Sequence, residues 1–120
     1  MKRVVVTGMG AITPIGNSVS EFWDGLVSGK NGIAPITLFD TTDYKAKLAA
    51  EVKNFEPTDY MEKSEVRKLD RFVQFALAAA KEAVEDSSIV GNIAPERFGV
   101  YFGSGIGGFN TFCEEDRKCV

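Results

Sequence analysis

At 120 residues, with 44% hydrophobic and 26% charged side chains, the chain has the size and make-up of one small globular domain, not of a disordered segment. Its 14 basic and 17 acidic side chains leave a net charge of −3, which argues against a general nucleic-acid binder. Histidine is absent, so histidine acid–base catalysis, Ser-His or Cys-His nucleophilic pairs and histidine-ligated metals have no place in these residues.

Two further exclusions come from the cysteines and the termini. Cys113 and Cys119 lie six positions apart, which fits neither a C-x-x-C pair nor a zinc pattern, so free thiols in a reducing cytoplasm are expected. The apolar run after Met1-Lys2-Arg3 is only Val4-Val5-Val6, too short for a signal peptide. No later stretch approaches a membrane span, and a cytoplasmic chain without membrane contact is expected.

In chain order, Lys2 to Gly8 reads as a buried strand, because consecutive β-branched residues suit a pleated surface covered on both faces. Gly8-Met9-Gly10 then permits a sharp exit into an irregular loop through Thr13-Pro14-Ile15-Gly16. Ser18 and Glu21 form an S-x-x-E capping box, followed by Phe22, Trp23, Leu26 and Val27 on one side of a short helix that Gly29 closes. From Asn31 to Tyr60 turn residues dominate, with a short strand expected over Leu48 to Val52. The longest helix is expected from about Glu65 to Glu85, where Leu69, Phe72, Val73, Ala76, Ala80, Ala83 and Val84 recur at helical spacing. Its alanines leave a slim surface that a neighbour can approach closely. After the breakers Asp86-Ser87-Ser88 and Gly91-Asn92, Arg97 to Gly103 reads as a second buried strand, and a further helix is expected from about Phe109.

This order suggests a βαβ crossover in a parallel α/β sheet. Two strands would leave both sheet edges open, so the chain is expected to be part of something larger, its length a cut and not a boundary.

Four local features invite a chemical reading. Gly8-Met9-Gly10 follows a strand, as in G-x-G-x-x-G, but Thr13-Pro14 replaces the third glycine, so a turn is favoured over a nucleotide site. Gly103-Ser104-Gly105-Ile106-Gly107-Gly108 lacks the Lys-Ser/Thr ending of a phosphate loop; it is either a tight turn or a small-residue cavity wall with Ile106 as its bulky member. Lys63, Arg67, Lys68 and Arg71 form a basic cluster, interleaved with Glu62, Glu65 and Asp70. It is either a solvated helix face or a surface that steers an acidic protein partner. Neither cysteine has a histidine to activate it as a nucleophile.

Several segments together resemble the N-terminal part of the β-ketoacyl-acyl-carrier-protein synthase II family, condensing enzymes of the thiolase superfamily. They are Arg3 to Gly16 (RVVVTGMGAITPIG), Phe22-Trp23 with Gly29 to Ile33, Val66 to Phe72 (VRKLDRF), and the Gly103 to Gly108 loop. The resemblance runs in order along essentially the whole chain. It implies the N-terminal portion of a thiolase-like layered α/β fold, residues 1–120 forming one partial domain with its sheet incomplete and no second domain. It implies decarboxylative Claisen condensation with malonyl-carrier protein in fatty-acid synthesis, without a cofactor or metal. The family's nucleophilic cysteine and two histidines lie beyond residue 120, so this chain holds no catalytic residue and is expected to be inactive alone. The resemblance assigns Ile106, with Gly105 and Gly107, to the wall and gate of the acyl-chain pocket. It assigns Lys63, Arg67 and Lys68 to docking of the acidic acyl carrier protein, in an enzyme that is usually a homodimer. A polyketide or chain-initiation ketosynthase, and a non-catalytic carrier-binding scaffold, are the alternatives.

Overall fold

The structure, a computed structural model, describes residues 2–120. Helices follow where capping and periodicity place them. The Ser18 hydroxyl accepts from the Glu21 amide and so starts α1 (Val19–Val27). The Glu21 carboxylate reaches back to the Asn17 amide at 2.8 Å, one residue earlier than a strict capping box. Gly29, at φ +67°, closes the helix in the left-handed conformation expected of a C′ glycine. The apolar side of α1 is nonetheless open, with Trp23 63% exposed and only Gly25 buried, against Ile15.

The chain divides into two compact units. One comprises Gly10–Phe55. It holds α1 and a two-stranded antiparallel ribbon, β1 (Ala34–Pro35) and β2 (Leu48–Ala49), with Ala34 opposite Ala49 and Pro35 opposite Leu48. A carboxylate extends this short ladder: Glu51 accepts from the Thr37 amide at 3.1 Å and from its hydroxyl at 2.7 Å. These two bonds, the hydroxyl's first, hold the Glu51 carboxyl below its ordinary value. Phe39 and Tyr44 meet edge to face across the intervening loop, their centroids 5.5 Å apart.

The other unit joins the segment ending at Met9 to Glu56–Val120. It contains α2 (Lys63–Val66), α3 (Arg71–Ser87) and α4 (Phe109–Cys119). The expected helix from Glu65 to Glu85 is thus two helices, broken over residues 67–70, where Asp70 takes an extended conformation (φ −60°, ψ 152°) and caps α3. The break is held from below. Gln74, only 7% exposed, donates its side-chain amide to the carbonyls of Val66 (3.0 Å) and Leu69 (2.9 Å). With Ala78, which is fully buried, Gln74 replaces the predicted apolar stripe as the innermost line of α3; Phe72 is 41% exposed. The helix ends at Ser88, left-handed at φ 51°, where the breaker residues place it.

The slim alanine face does admit a close neighbour. A Cβ on Gly8 would lie 2.4 Å from the Ala83 carbonyl oxygen, and the Met9 amide donates to Asp86 at 3.0 Å. Gly8 is therefore the point where the N-terminal segment crosses α3, which accounts for this glycine without any nucleotide.

Neither expected buried strand forms a ladder. Residues 2–9 and 98–103 carry no strand pairing, and Val4 is 96% exposed. The only named sheet among the described residues is antiparallel, not the expected parallel crossover. The cause is physical: a strand exists by its partner's hydrogen bonds, and these two segments find none here. Thr7-Gly8 and Phe98 to Phe102 instead flank the Ala80–Val84 face of α3 around a shallow, largely apolar cavity of about 280 Å³.

Replacing Gln74 with Leu should destabilise this unit by about 1–3 kcal/mol, because two carbonyls lose their donor inside a tight turn. Urea unfolding checks it; a change below about 0.5 kcal/mol would show that the turn does not need the amide.

Candidate functional site

The basic cluster and the glycine loop belong to the same unit, and the structure brings their ends together. Lys63 opens α2, Arg67 caps its C-terminus, and Lys68 lies in the turn before α3. All three side chains are exposed. Because the helix breaks after Arg67, Lys63 and Arg67 lie on α2 and its cap, Lys68 lies in the turn, and Arg71 starts a separate helix, so the four cations do not share one continuous helix face. Arg71, the first residue of α3, lies over the Phe75 ring at 4.8 Å, a cation–π contact.

The acids interleaved with these cations point elsewhere. Glu65 turns back to accept the Glu62 amide at 3.3 Å, and Asp70 accepts the Thr111 hydroxyl from α4. Glu56, seven residues before Lys63, is tied to the Thr58 hydroxyl (2.7 Å) and amide (3.2 Å). Those bonds, the hydroxyl's first, hold its carboxyl low; Lys63 adds a smaller effect of the same sign. Residues 62–71 carry a formal charge of only +1, four cations against three acids. Two of those acids accept hydrogen bonds from uncharged groups, Glu65 from the Glu62 amide and Asp70 from the Thr111 hydroxyl, which fixes where their negative charge lies and leaves the net charge of the segment unchanged.

The glycine loop precedes α4. Ile106 sits in a bend and is 83% exposed. A Cβ on Gly103 or Gly105 would meet nothing within 4 Å, whereas one on Gly107 would lie 2.6 Å from Phe72 Cζ. Gly108, at φ +68°, is the N-cap of α4, and a Cβ there would come within 2.7 Å of Asp70 Oδ2. The loop is thus free at its first half and seated at its second. Ile106 and Gly105 line neither the apolar cavity beside α3 nor the polar cavity of the other unit, and Gly107 packs on an aromatic ring.

Spacing marks Phe72 as a core residue and Asp70 as one of the interleaved acids, but it does not reveal that these two and Thr111 join the basic turn to the loop. Gln74 was likewise hidden; its only signal was a lone amide at the spacing of the alanines in RFVQFALAAA.

Cys113 is half-buried and Cys119 exposed on α4; both thiols are free. Among the described residues no three cysteine or carboxylate side chains gather as a metal site would need. In the other unit a polar cavity of about 330 Å³ lies between the Thr13–Asn17 loop, Lys30 and Lys53–Asn54. The Lys30 ammonium is already engaged there by the Ile15 carbonyl at 2.8 Å.

Replacing Gly108 with Ala should cost about 1–3 kcal/mol in unfolding free energy, from a left-handed backbone and the approach of Asp70 together. Gly105→Ala, with open space around it, should stay within about 0.5 kcal/mol. Equal effects would mean that the loop is not seated at Gly108.

Comparison with known proteins bears on the family of the chain. A family described as "Beta-ketoacyl synthase, N-terminal domain" matches residues 1–119. The chain is similar to 3-oxoacyl-(acyl-carrier-protein) synthase 2 of Synechocystis sp., 44% identical over 120 residues, and to that of Staphylococcus aureus, 50% identical over 112. These matches cover 99% and 92% of this chain but only 28% and 27% of the relatives' own length. Among solved structures, "The ishigamide ketosynthase/chain length factor" is similar over 79% of this chain and 23% of its own, with TM-score 0.65 and 37% identity. The mixed helix–strand organisation with an unclosed sheet is therefore part of a thiolase-like α/β fold, and the chain belongs to the β-ketoacyl synthase family, as its N-terminal domain.

Proposed function

We propose that this chain serves as the N-terminal part of a condensing enzyme that lengthens acyl chains held on acyl carrier protein. Elongation proceeds by decarboxylative Claisen condensation with malonyl-carrier protein in fatty-acid synthesis. The observation that carries this reading is the match of residues 1–119 to the ketosynthase N-terminal domain, with relatives named for 3-oxoacyl-carrier-protein synthesis at 44–50% identity.

The chemistry needs a thiolate nucleophile, an oxyanion hole and proton donors. The chain contains no histidine, and its cysteines sit on α4 without an activating base. Its role is consequently recognition and pocket formation, and residues 1–120 alone should not condense substrate. Lys63, Arg67 and Lys68 meet the acidic carrier protein: exposed cations around one turn raise the rate of encounter with an acidic partner and orient it. Ile106, flanked by Gly105 and Gly107, lines the acyl-chain pocket, where one bulky side chain among glycines sets the available length.

The net charge of −3 supports a protein rather than a nucleic-acid partner. Among the described residues no helix is long and apolar enough to cross a membrane. We take the working form to be a cytoplasmic homodimer, as the resemblance implies. A ketosynthase of the polyketide type is the second reading, favoured by the structural likeness to a ketosynthase/chain length factor.

The test uses a chimera in which residues 1–120 replace the matching segment of the Staphylococcus aureus relative. It should elongate acyl-carrier protein, and the pair Arg67→Glu and Lys68→Glu should raise KM for that substrate about tenfold at low salt with kcat little changed. The difference should shrink as salt rises. A folded chimera that binds carrier protein without condensing would favour the scaffold alternative. Acceptance of polyketide but not fatty-acyl carriers would favour the second reading, and an unchanged KM would remove the docking assignment.

A further inference from the structure

One side chain links the two functional features of this unit. Asp70 begins α3: its carbonyl accepts from the Val73 and Gln74 amides at 2.9 and 3.1 Å, immediately after the Arg67-Lys68 turn. Its carboxylate points the other way. One oxygen accepts the Thr111 hydroxyl of α4, and the second lies where any side chain at Gly108 would have to stand. Phe72, two residues on, fills the corresponding space at Gly107. Gly103 and Gly105 face open space, so the Ile106 loop gains its support only at its Gly107-Gly108 end. A carboxylate at that point also faces the N-terminal end of α4, where negative charge is favourable.

We propose that Asp70 is a positioning residue for acyl-chain selection. Through Thr111 and Gly108 it seats the Ile106 loop on the first turn of α3, so that the docking turn and the pocket residue move as one piece. The selection half of this inference rests on the reading of Ile106 given above; the seat itself does not.

The chimera described above allows the two to be separated. Asp70→Ala and Thr111→Val should each speed hydrogen exchange of the Phe112 amide, which closes the first turn of α4 on Gly108, about tenfold. Exchange at Ala78, in the interior of α3, should not change. Both variants should shift the ratio of kcat/KM for long against medium acyl chains about threefold in the same direction, and the double variant no further than either alone. Asp70→Asn keeps an acceptor at the same place and should retain the parental ratio. Ile106→Phe is the reference: it should shorten the accepted chains.

Unchanged Phe112 exchange in the Thr111→Val variant, which leaves α3 intact, would overturn the seat. Unchanged selectivity in both Asp70→Ala and Thr111→Val, with a clear effect of Ile106→Phe, would overturn the positioning role while leaving the pocket reading in place. No effect of Ile106→Phe would instead defeat the pocket reading, and with it the selection half, while Phe112 exchange still decides the seat.

Discussion

The geometry of the site depends on one buried amide. Gln74 donates to Val66 and Leu69 from inside α3, and in doing so it holds a break in what would otherwise be a continuous helix. A polar side chain at 7% exposure must find partners or cost the unit about 1–3 kcal/mol, so the turn and the amide require each other. Once the turn at residues 67–70 is fixed, Asp70 is placed to cap α3 with its backbone and to receive Thr111 with its carboxylate. The cations Arg67 and Lys68 project from the same turn. Two of the exposed cations, the helix start and the carboxylate that supports the loop therefore share four residues of chain.

Local signals foretold the helices well because a helix closes its own hydrogen bonds. The Ser18 cap, the Gly29 exit, the Ser88 end and the start of α4 at Phe109 all lie where short-range chemistry puts them. The break at 67–70 was not legible, since Arg-Lys-Leu-Asp contains three good helix formers and nothing that forbids continuation. What holds it is Gln74, whose side-chain bonds reach back five and eight residues, beyond the reach of backbone propensity. The strands fail for the opposite reason. Val4-Val5-Val6 and Phe98 to Phe102 have the residue types of buried strands, but pairing is non-local and they meet no partner among the described residues. The short ribbon at Ala34–Pro35 and Leu48–Ala49 forms because its two halves are close in sequence, and Glu51 tightens it.

The candidate site was legible in its parts and not in its assembly. Lys63, Arg67, Lys68 and Ile106 stand out by charge and by bulk among glycines. What joins them does not, because Asp70 and Thr111 are 41 residues apart and each looks like ordinary surface. The interleaved acids also change meaning in three dimensions. On paper Glu65 and Asp70 are two more surface charges; in the structure their carboxylates keep that charge but are tied to the Glu62 amide and the Thr111 hydroxyl.

The proposed function requires that the basic turn and the glycine loop form one contiguous surface for an acylated carrier. Chemical-shift mapping of the chimera, with labelled backbone amides and an Ile106 methyl probe, tests it most directly when acyl carrier protein is titrated in. Perturbations at Lys63, Arg67 and Lys68 together with Gly105 to Gly108 are predicted, the Ile106 methyl responding only when the carrier bears an acyl chain. Perturbations confined to α1 or to the β1–β2 ribbon, with Arg67 and Lys68 silent, would contradict it.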